Sequence, residues 1–218
     1  VYGAQQLILL QSAAATMSRA VEADLDLQTG LLNRTGLEQL LRQHKAGVGS
    51  LVLFDIDRHH ALNELHGFAM GDTVVLRISD LLVPPLVPPE AYVARLNGGT
   101  FAVLVPDLEL DAATKLANEI QQAVGTMDLR SGTDRVNVSV SCGVAEIRNL
   151  AEPLPKSLVP AEVVLRLAKE RGRARVEVHV SENSTIIRRH DEVFAAADLR
   201  EAIRTGQLVL YAQKIVNV

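Results

Sequence analysis

Residues 50–55 read Ser-Leu-Val-Leu-Phe-Asp, a continuous apolar run that ends on an acid and continues into Ile56-Asp57. A short run of this kind is the pattern of a strand buried on both faces, and such a strand needs helices on both sides of its sheet. The surrounding sequence supplies them. Helices are expected over 35–44, over 58–67 with Gly67 as C-cap, and over 71–82, where Val74, Val75, Ile78, Leu81 and Leu82 make an apolar face. Pro84, Pro85, Pro88 and Pro89 stop the last of these. Two short strands, 91–95 and 101–105, flank Asn97-Gly98-Gly99, where Asn-Gly supplies the positive φ that a tight hairpin requires. Residues 111–124 form an amphipathic helix with Asp111 in N-cap position. Residues 135–147 alternate as a strand, 160–170 form a helix ended by Gly172, and 175–180 form a last strand. Helices between strands around one hairpin predict an α/β sheet of mixed direction.

Flanking segments have a different character. Leu7, Leu10, Ala14, Met17 and Val21 recur in steps of three and four, the seam of a coiled-coil lead-in helix over 1–25; a helix packed on its own domain is the alternative for so few heptads. Residues 181–191 read as a polar linker, and 192–218 as a helix, a turn at Gly206 and a strand. With 218 residues, 48% of them apolar, the chain can bury a substantial core. A net charge of -4 with mixed signs and 3% aromatics argue against a nucleic-acid groove or a base-stacking platform. Cys142 is the one cysteine, so no internal disulfide forms, and its apolar run marks it as a core thiol. No run is long enough to span a bilayer and no signal peptide is evident. The expectation is a cytoplasmic chain with no nucleic-acid or membrane contact of its own, preceded by further sequence because it opens on Val1.

Several blocks now carry a resemblance. Asp26-Leu27-Gln28-Thr29-Gly30-Leu31-Leu32-Asn33-Arg34 resembles the D-x-L-T-G-L-x-N-R opening of GGDEF domains, with Gln28 in place of the Leu. Phe54-Asp55-Ile56-Asp57, then Asn63, Gly67, Gly71 and Asp72, resemble that family's D-x-D block. Arg95-Leu96-Asn97-Gly98-Gly99-Thr100-Phe101 falls where R-x-G-G-D-E-F belongs. Residues 138–145, then Ala168-Lys169 and Gly172-Arg173, resemble its closing motifs. The blocks keep the family's order and spacing across 26–180. Asp198-Leu199-Arg200, Gly206-Gln207-Leu208, Tyr211 and Gln213-Lys214-Ile215-Val216 resemble the start of an EAL domain, with Lys214 at the usual Pro; that family's metal-binding acids would fall beyond Val218.

The resemblance implies a GGDEF fold: a central mixed, mostly antiparallel five-stranded sheet flanked by helices, similar to the palm of nucleotidyl cyclases. It implies a reaction in which two GTP molecules meet across a homodimer, the 3′-hydroxyl of one attacking the α-phosphate of the other with Mg2+. It places the Asp55 carboxylate and the Ile56 carbonyl at a residual metal site, Asn63 and Asp72 on guanine, and Lys169 and Arg173 near phosphate. The signature is altered to Asn97-Gly98-Gly99-Thr100-Phe101. Either Gly99 or Thr100 takes the place of the metal-binding acid, depending on the register, and no Asp or Glu occurs from Ala91 to Val105. His60 stands for the phosphate-side Lys and, with His59, reads as an exposed helical pair. The inhibitory R-x-x-D positions are Pro88 and Ala91. Arg95 is kept and is expected to pair with a nearby acid.

The expectation is therefore a catalytically inactive regulatory domain. It would relay input from an upstream sensor domain to its own EAL domain, with weak GTP and Mg2+ binding and a homodimer as its candidate assembly. The alternative is a weak diguanylate cyclase.

Overall fold

A computed structural model describes residues 23–43 and 47–180. The heptad seam, the linker and the EAL-like tail lie outside the described residues. The chain divides into two units, Val1–His179 and Val180–Val218, and every element below belongs to the first.

The described elements are α1 (Arg34–Gln43), β1 (Gly49–Ile56), α2 (His59–His66), α3 (Phe68–Leu81), β2 (Tyr92–Asn97), β3 (Thr100–Pro106), α4 (Leu110–Gly125), β4 (Arg130–Ser131), β5 (Asp134–Arg135), β6 (Val140–Ile147), α5 (Leu154–Glu170) and β7 (Val176–His179). The main sheet has the order β2-β3-β1-β6-β7, and β4 with β5 forms a small hairpin. All pairings are antiparallel except β6 with β7. The expected mixed, mostly antiparallel five-stranded sheet is the observed one.

The position of β1 explains its unbroken apolar run. Val52, Phe54 and Ile56 face a core built with Val74, Val75 and Ile78 of α3 and Ala113, Ala117 and Ile120 of α4. Leu51 and Leu53 face a second core, with Leu37 and Leu41 of α1 and Leu154, Leu158, Ala161 and Leu165 of α5. Each large side chain so buried contributes roughly 1.5–3 kcal/mol. Phe54 and Phe101, opposite each other in register, stack with ring centroids 5.3 Å apart.

Four boundaries differ from the sequence reading. Helix α5 starts at Leu154 and contains Pro160, because its buried stripe runs unbroken through Leu154, Leu158, Ala161 and Leu165, and that packing outweighs the cost of the proline. Helix α3 starts at Phe68; Gly67, at φ 84°, both closes α2 and opens α3. The alternating stretch 135–147 is not one strand: the β4–β5 hairpin ends at Arg135 and β6 begins at Val140. Val136 and Val138 are buried without belonging to a strand, which mimics strand periodicity. Glu109 is the N-cap of α4 and Asp111 lies in its first turn, where a carboxylate favours the helix dipole without capping.

In the β2–β3 hairpin Asn97 pairs with Thr100, so the turn is Gly98-Gly99, one residue later than Asn-Gly, after an irregularity between Arg95 and Asn97. One close approach positions the site. A Cβ at Gly143 of β6 would collide with the Ala161 carbonyl and lie 2.6 Å from the Leu165 nitrogen, so glycine lets α5 settle onto the sheet.

Candidate functional site

Asp55, at the end of β1, lies opposite Thr100 of β3 and Ser141 of β6. Thr100 Oγ1 donates to Asp55 Oδ2 at 2.6 Å. Lys169 Nζ, from the last turn of α5, is 2.9 Å from Asp55 Oδ1. Thr100 Oγ1 is also 2.9 Å from Asn97 Oδ1, and its single proton serves one acceptor at a time. Between the two signature registers, the side chain that faces Asp55 is that of Thr100. Asp55, Asn97, Thr100 and Lys169 line a cleft of about 290 Å3 together with Arg34 and Arg166.

Magnesium takes about six hard oxygen ligands in near-octahedral geometry. Here each Asp55 oxygen is engaged by a donor of the chain, and the other carboxylate that lines the cleft, Glu162, stands on α5 two turns before Lys169. Among the described residues no group of three or more His, Cys, Asp and Glu side chains is arranged to hold a metal ion. The donor set does not fit a divalent cation; the Lys169 ammonium supplies the compensating charge.

The second acid of the D-x-D block serves another purpose. Asp57 Oδ1 accepts from Ser141 Oγ at 2.6 Å, and Oδ2 accepts from Ser139 Oγ at 2.7 Å and from the Ala174 N–H at 3.0 Å. Its own N–H donates to the Ser139 carbonyl at 2.9 Å. Asp57 fastens β1, the approach to β6 and the turn after α5.

The other sequence-predicted residues separate. Asn63 packs on Gly71, where a Cβ would collide with Asn63 Oδ1; that buried oxygen has no hydrogen-bond partner. Asp72 Oδ1 accepts from Gln28 Nε2 at 3.0 Å. Lys169 is held at Asp55. Arg173, at φ 66°, lines a different cleft, which shares no lining residue with that of Asp55. His59 is not the exposed residue expected from the sequence. It is half-buried, with Nδ1 3.1 Å from where a Gly99 Cβ would stand, and its Nε2 is buried without a partner. His60 is exposed, with Nε2 3.3 Å from Glu64 Oε1.

One network escaped the sequence reading. Arg95 donates through Nη1 to Asp26 Oδ1 at 3.1 Å and to Gln28 Oε1 at 2.6 Å, and through Nε and Nη2 to the Gly98 carbonyl at 3.0 and 2.8 Å. Burial pushes the Asp26 carboxyl up, but the Thr29 hydroxyl and N–H and then the Arg95 guanidinium outweigh it and hold Asp26 below its ordinary range. The expected acid partner of Arg95 is thus Asp26. Gln28, the departure from the opening motif, was the signal for the rest.

A family model described as "Diguanylate cyclase, GGDEF domain" matches residues 23–175. The uncharacterized protein YhcK of Bacillus subtilis is 31% identical over 163 residues, covering 71% of this chain and 45% of YhcK. The cyclic di-GMP phosphodiesterase PdeB of Shewanella oneidensis is 25% identical over 195 residues, covering 88% of this chain and 23% of PdeB. The chain thus spans less than half the length of these relatives. Among solved structures, the coiled coil and GGDEF domain of DgcB from Caulobacter crescentus, in complex with c-di-GMP, matches with a TM-score of 0.70 at 23% identity, covering 80% of this chain and 95% of that one.

Proposed function

The chain belongs to the GGDEF family of diguanylate cyclase domains, and from that membership we propose that this copy is catalytically silent and serves as a regulatory module in cyclic di-GMP signalling. The observation that carries the proposal is the state of Asp55. Joining two GTP molecules requires an anionic site that gathers divalent cation against phosphate. Asp55 is the acid that the family resemblance places at that site, and Thr100 and Lys169 hold its two oxygens. Other groups expected to meet GTP are occupied as well: Asp72 by Gln28, and His60 by Glu64.

Incubation of the pure chain with GTP and Mg2+, followed by nucleotide chromatography, is expected to yield no cyclic di-GMP above an Asp55→Ala control. Steady product that Asp55→Ala abolishes would establish the weak cyclase instead. GTP is the candidate ligand, its base on Asn63 and Asp72, with affinity kept low because Gln28 competes for Asp72. Calorimetry with GTP and Mg2+ measures this directly.

The partner proposed for the module is its own EAL domain, on the residue pattern of 192–218, with an upstream sensor domain acting through 1–25 and a homodimer as the assembly. In the parent protein, deletion of 1–180 is expected to change phosphodiesterase activity or cyclic di-GMP binding; unchanged behaviour would refute the relay.

A further inference from the structure

Of the chain's asparagines, only Asn97 is followed by glycine. An asparagine holds its amide carbon within ring-closing distance of the next backbone nitrogen. A side chain on the next residue hinders that approach, and glycine leaves it open.

The hairpin keeps this pair accessible. Asn97 and Gly98 are both exposed. A Cβ at Gly98 would meet no atom within 4 Å, and the residue has a φ of 34°. Asn97 pairs with Thr100, which leaves the Gly98 N–H in the turn, and among the described residues nothing accepts from it. The register of β2 is already irregular between Arg95 and Asn97. Other asparagines are held in place. Asn33 donates to the Ala23 and Leu25 carbonyls and accepts from the Gly36 N–H. Asn63 and Asn118 lie inside α2 and α4, and Asn149 Oδ1 accepts from the Ala151 N–H.

Local charge favours a reaction between the two. The attacking group is the deprotonated Gly98 nitrogen. Arg95 Nε and Nη2 donate to the Gly98 carbonyl at 3.0 and 2.8 Å, and a guanidinium this close favours the anionic form of a neighbouring group.

We propose that Asn97-Gly98 is a site of spontaneous amide-to-acid conversion that returns a carboxylate to the altered signature. The Gly98 nitrogen bonds to the side-chain carbonyl carbon of Asn97. The bond from that carbon to Nδ2 breaks, and ammonia leaves with the proton that Gly98 gave up. Water then opens the cyclic imide at either carbonyl, giving aspartate in the ordinary linkage or in a β-linkage that lengthens the backbone. In the ordinary linkage the new carboxylate stands at the place of Asn97 Oδ1, 2.9 Å from Thr100 Oγ1, which is 2.6 Å from Asp55 Oδ2. A carboxylate there competes with Asp55 for the Thr100 proton on terms that an amide does not. The proposal is independent of the silent-cyclase reading, because it concerns the chemistry of one peptide bond and not that of GTP.

The test is incubation of the whole 218-residue chain at neutral and mildly alkaline pH, followed by peptide mapping with mass spectrometry and by an ammonia assay. Expected is first-order conversion at Asn97, faster as pH rises, and at least about tenfold faster than at Asn118 or Asn149. Hydroxylamine, which traps the imide, should cut the chain between Asn97 and Gly98. Gly98→Ala should slow conversion severalfold. If that variant melts early, Asn97→Gln, which cannot close the same five-membered ring, still reads the step and should abolish it. Conversion at Asn97 no faster than at Asn118 and Asn149 overturns the proposal, as does conversion seen only when the chain is unfolded in urea, since the hairpin would then lock the pair. The Thr100 amide resonance should shift in Asn97→Asp, and a resonance that does not move overturns the contact assigned to the new carboxylate.

Discussion

Replacing Asp57 with alanine separates the two acids of the D-x-D block by what each one holds. Asp57 accepts three hydrogen bonds. The hydroxyl of Ser141 belongs to a fully buried residue; deprived of its charged acceptor, it forfeits about 1.5–3 kcal/mol. The Ser139 and Ala174 donors lie nearer to solvent and regain water, so each contributes roughly 0.5–1 kcal/mol. The sum is about 2.5–5 kcal/mol. With a urea dependence of about 2 kcal/mol per molar for a domain of this size, the unfolding midpoint should fall by about 1.3–2.5 M. Asp55→Ala is the internal comparison. It removes an ion pair whose Asp55 and Lys169 side chains are 22% and 35% exposed and one hydroxyl contact, so solvent screening limits its cost to about 1 kcal/mol. Urea unfolding followed by circular dichroism reads both variants. A loss below about 1 kcal/mol in Asp57→Ala, or equal losses in the two, would refute the assignment of Asp57 to the scaffold.

Four further outcomes follow from the geometry. Thr100→Glu, which sets a second carboxylate beside Asp55, should create a divalent-cation site seen as a Mn2+-dependent rise in melting temperature that the parent chain lacks. Gly143→Ala should destabilise the domain by about 1–3 kcal/mol in thermal unfolding, since its Cβ would strike the backbone of α5. Burial pushes the Cys142 thiol far up, so it should resist alkylation at pH 8 and react only when the chain is unfolded in urea. Asp26, held below its ordinary range, contributes stability that is complete above about pH 4 and lost as pH falls through its lower folded value; Asp26→Asn should therefore show a shallower loss of stability on acidification below pH 4, measured by melting temperature.

The sheet was legible because its strands obey one-dimensional rules. The apolar run of β1 declares burial on both faces, and Asn97-Gly98-Gly99 between two short apolar runs declares a hairpin, though its turn falls one residue later than Asn-Gly. What misled was burial that imitates periodicity. Val136 and Val138 alternate like strand residues while belonging to no strand, and Pro160 reads as a helix start although the stripe on α5 continues on both sides of it. In the site, the family resemblance placed Asp55, Lys169 and either Gly99 or Thr100 around one chemistry. It did not reveal that they satisfy one another, because Thr100 meets Asp55 through the β1–β3 register and Lys169 meets it through the approach of α5 to the sheet, which Gly143 permits. Arg173 lies past the end of α5 at Glu170, in a turn of positive φ, and lines a cleft other than the one that holds Lys169.

Loss of the signature acid and survival of the fold follow from the same contacts. Had Asp55 kept its place with neither metal nor partner, a carboxylate mostly shielded from water would have faced a desolvation cost without compensation. Thr100 supplies a hydroxyl donor at the altered position and Lys169 the countercharge, so Asp55 is paired without an ion. The hairpin that carries Thr100 is in turn fixed by Arg95, which grips the Gly98 carbonyl with one edge and Asp26 and Gln28 with the other. Gln28 reaches on to Asp72 at the start of α3. The turn at 26–34 is thus connected by hydrogen bonds both to the altered signature and to the residue expected to meet a base. A displacement of that turn would strain its bonds toward both Thr100 and Asp72, which gives the proposed relay a physical route from the turn at 26–34 to the signature hairpin and to α3. Gln28→Leu tests that route: it cuts the bond to Asp72 while leaving the Arg95–Asp26 pair, and should raise GTP affinity if Gln28 competes for the base position. Unchanged affinity in calorimetry would show that Asp72 was never contested.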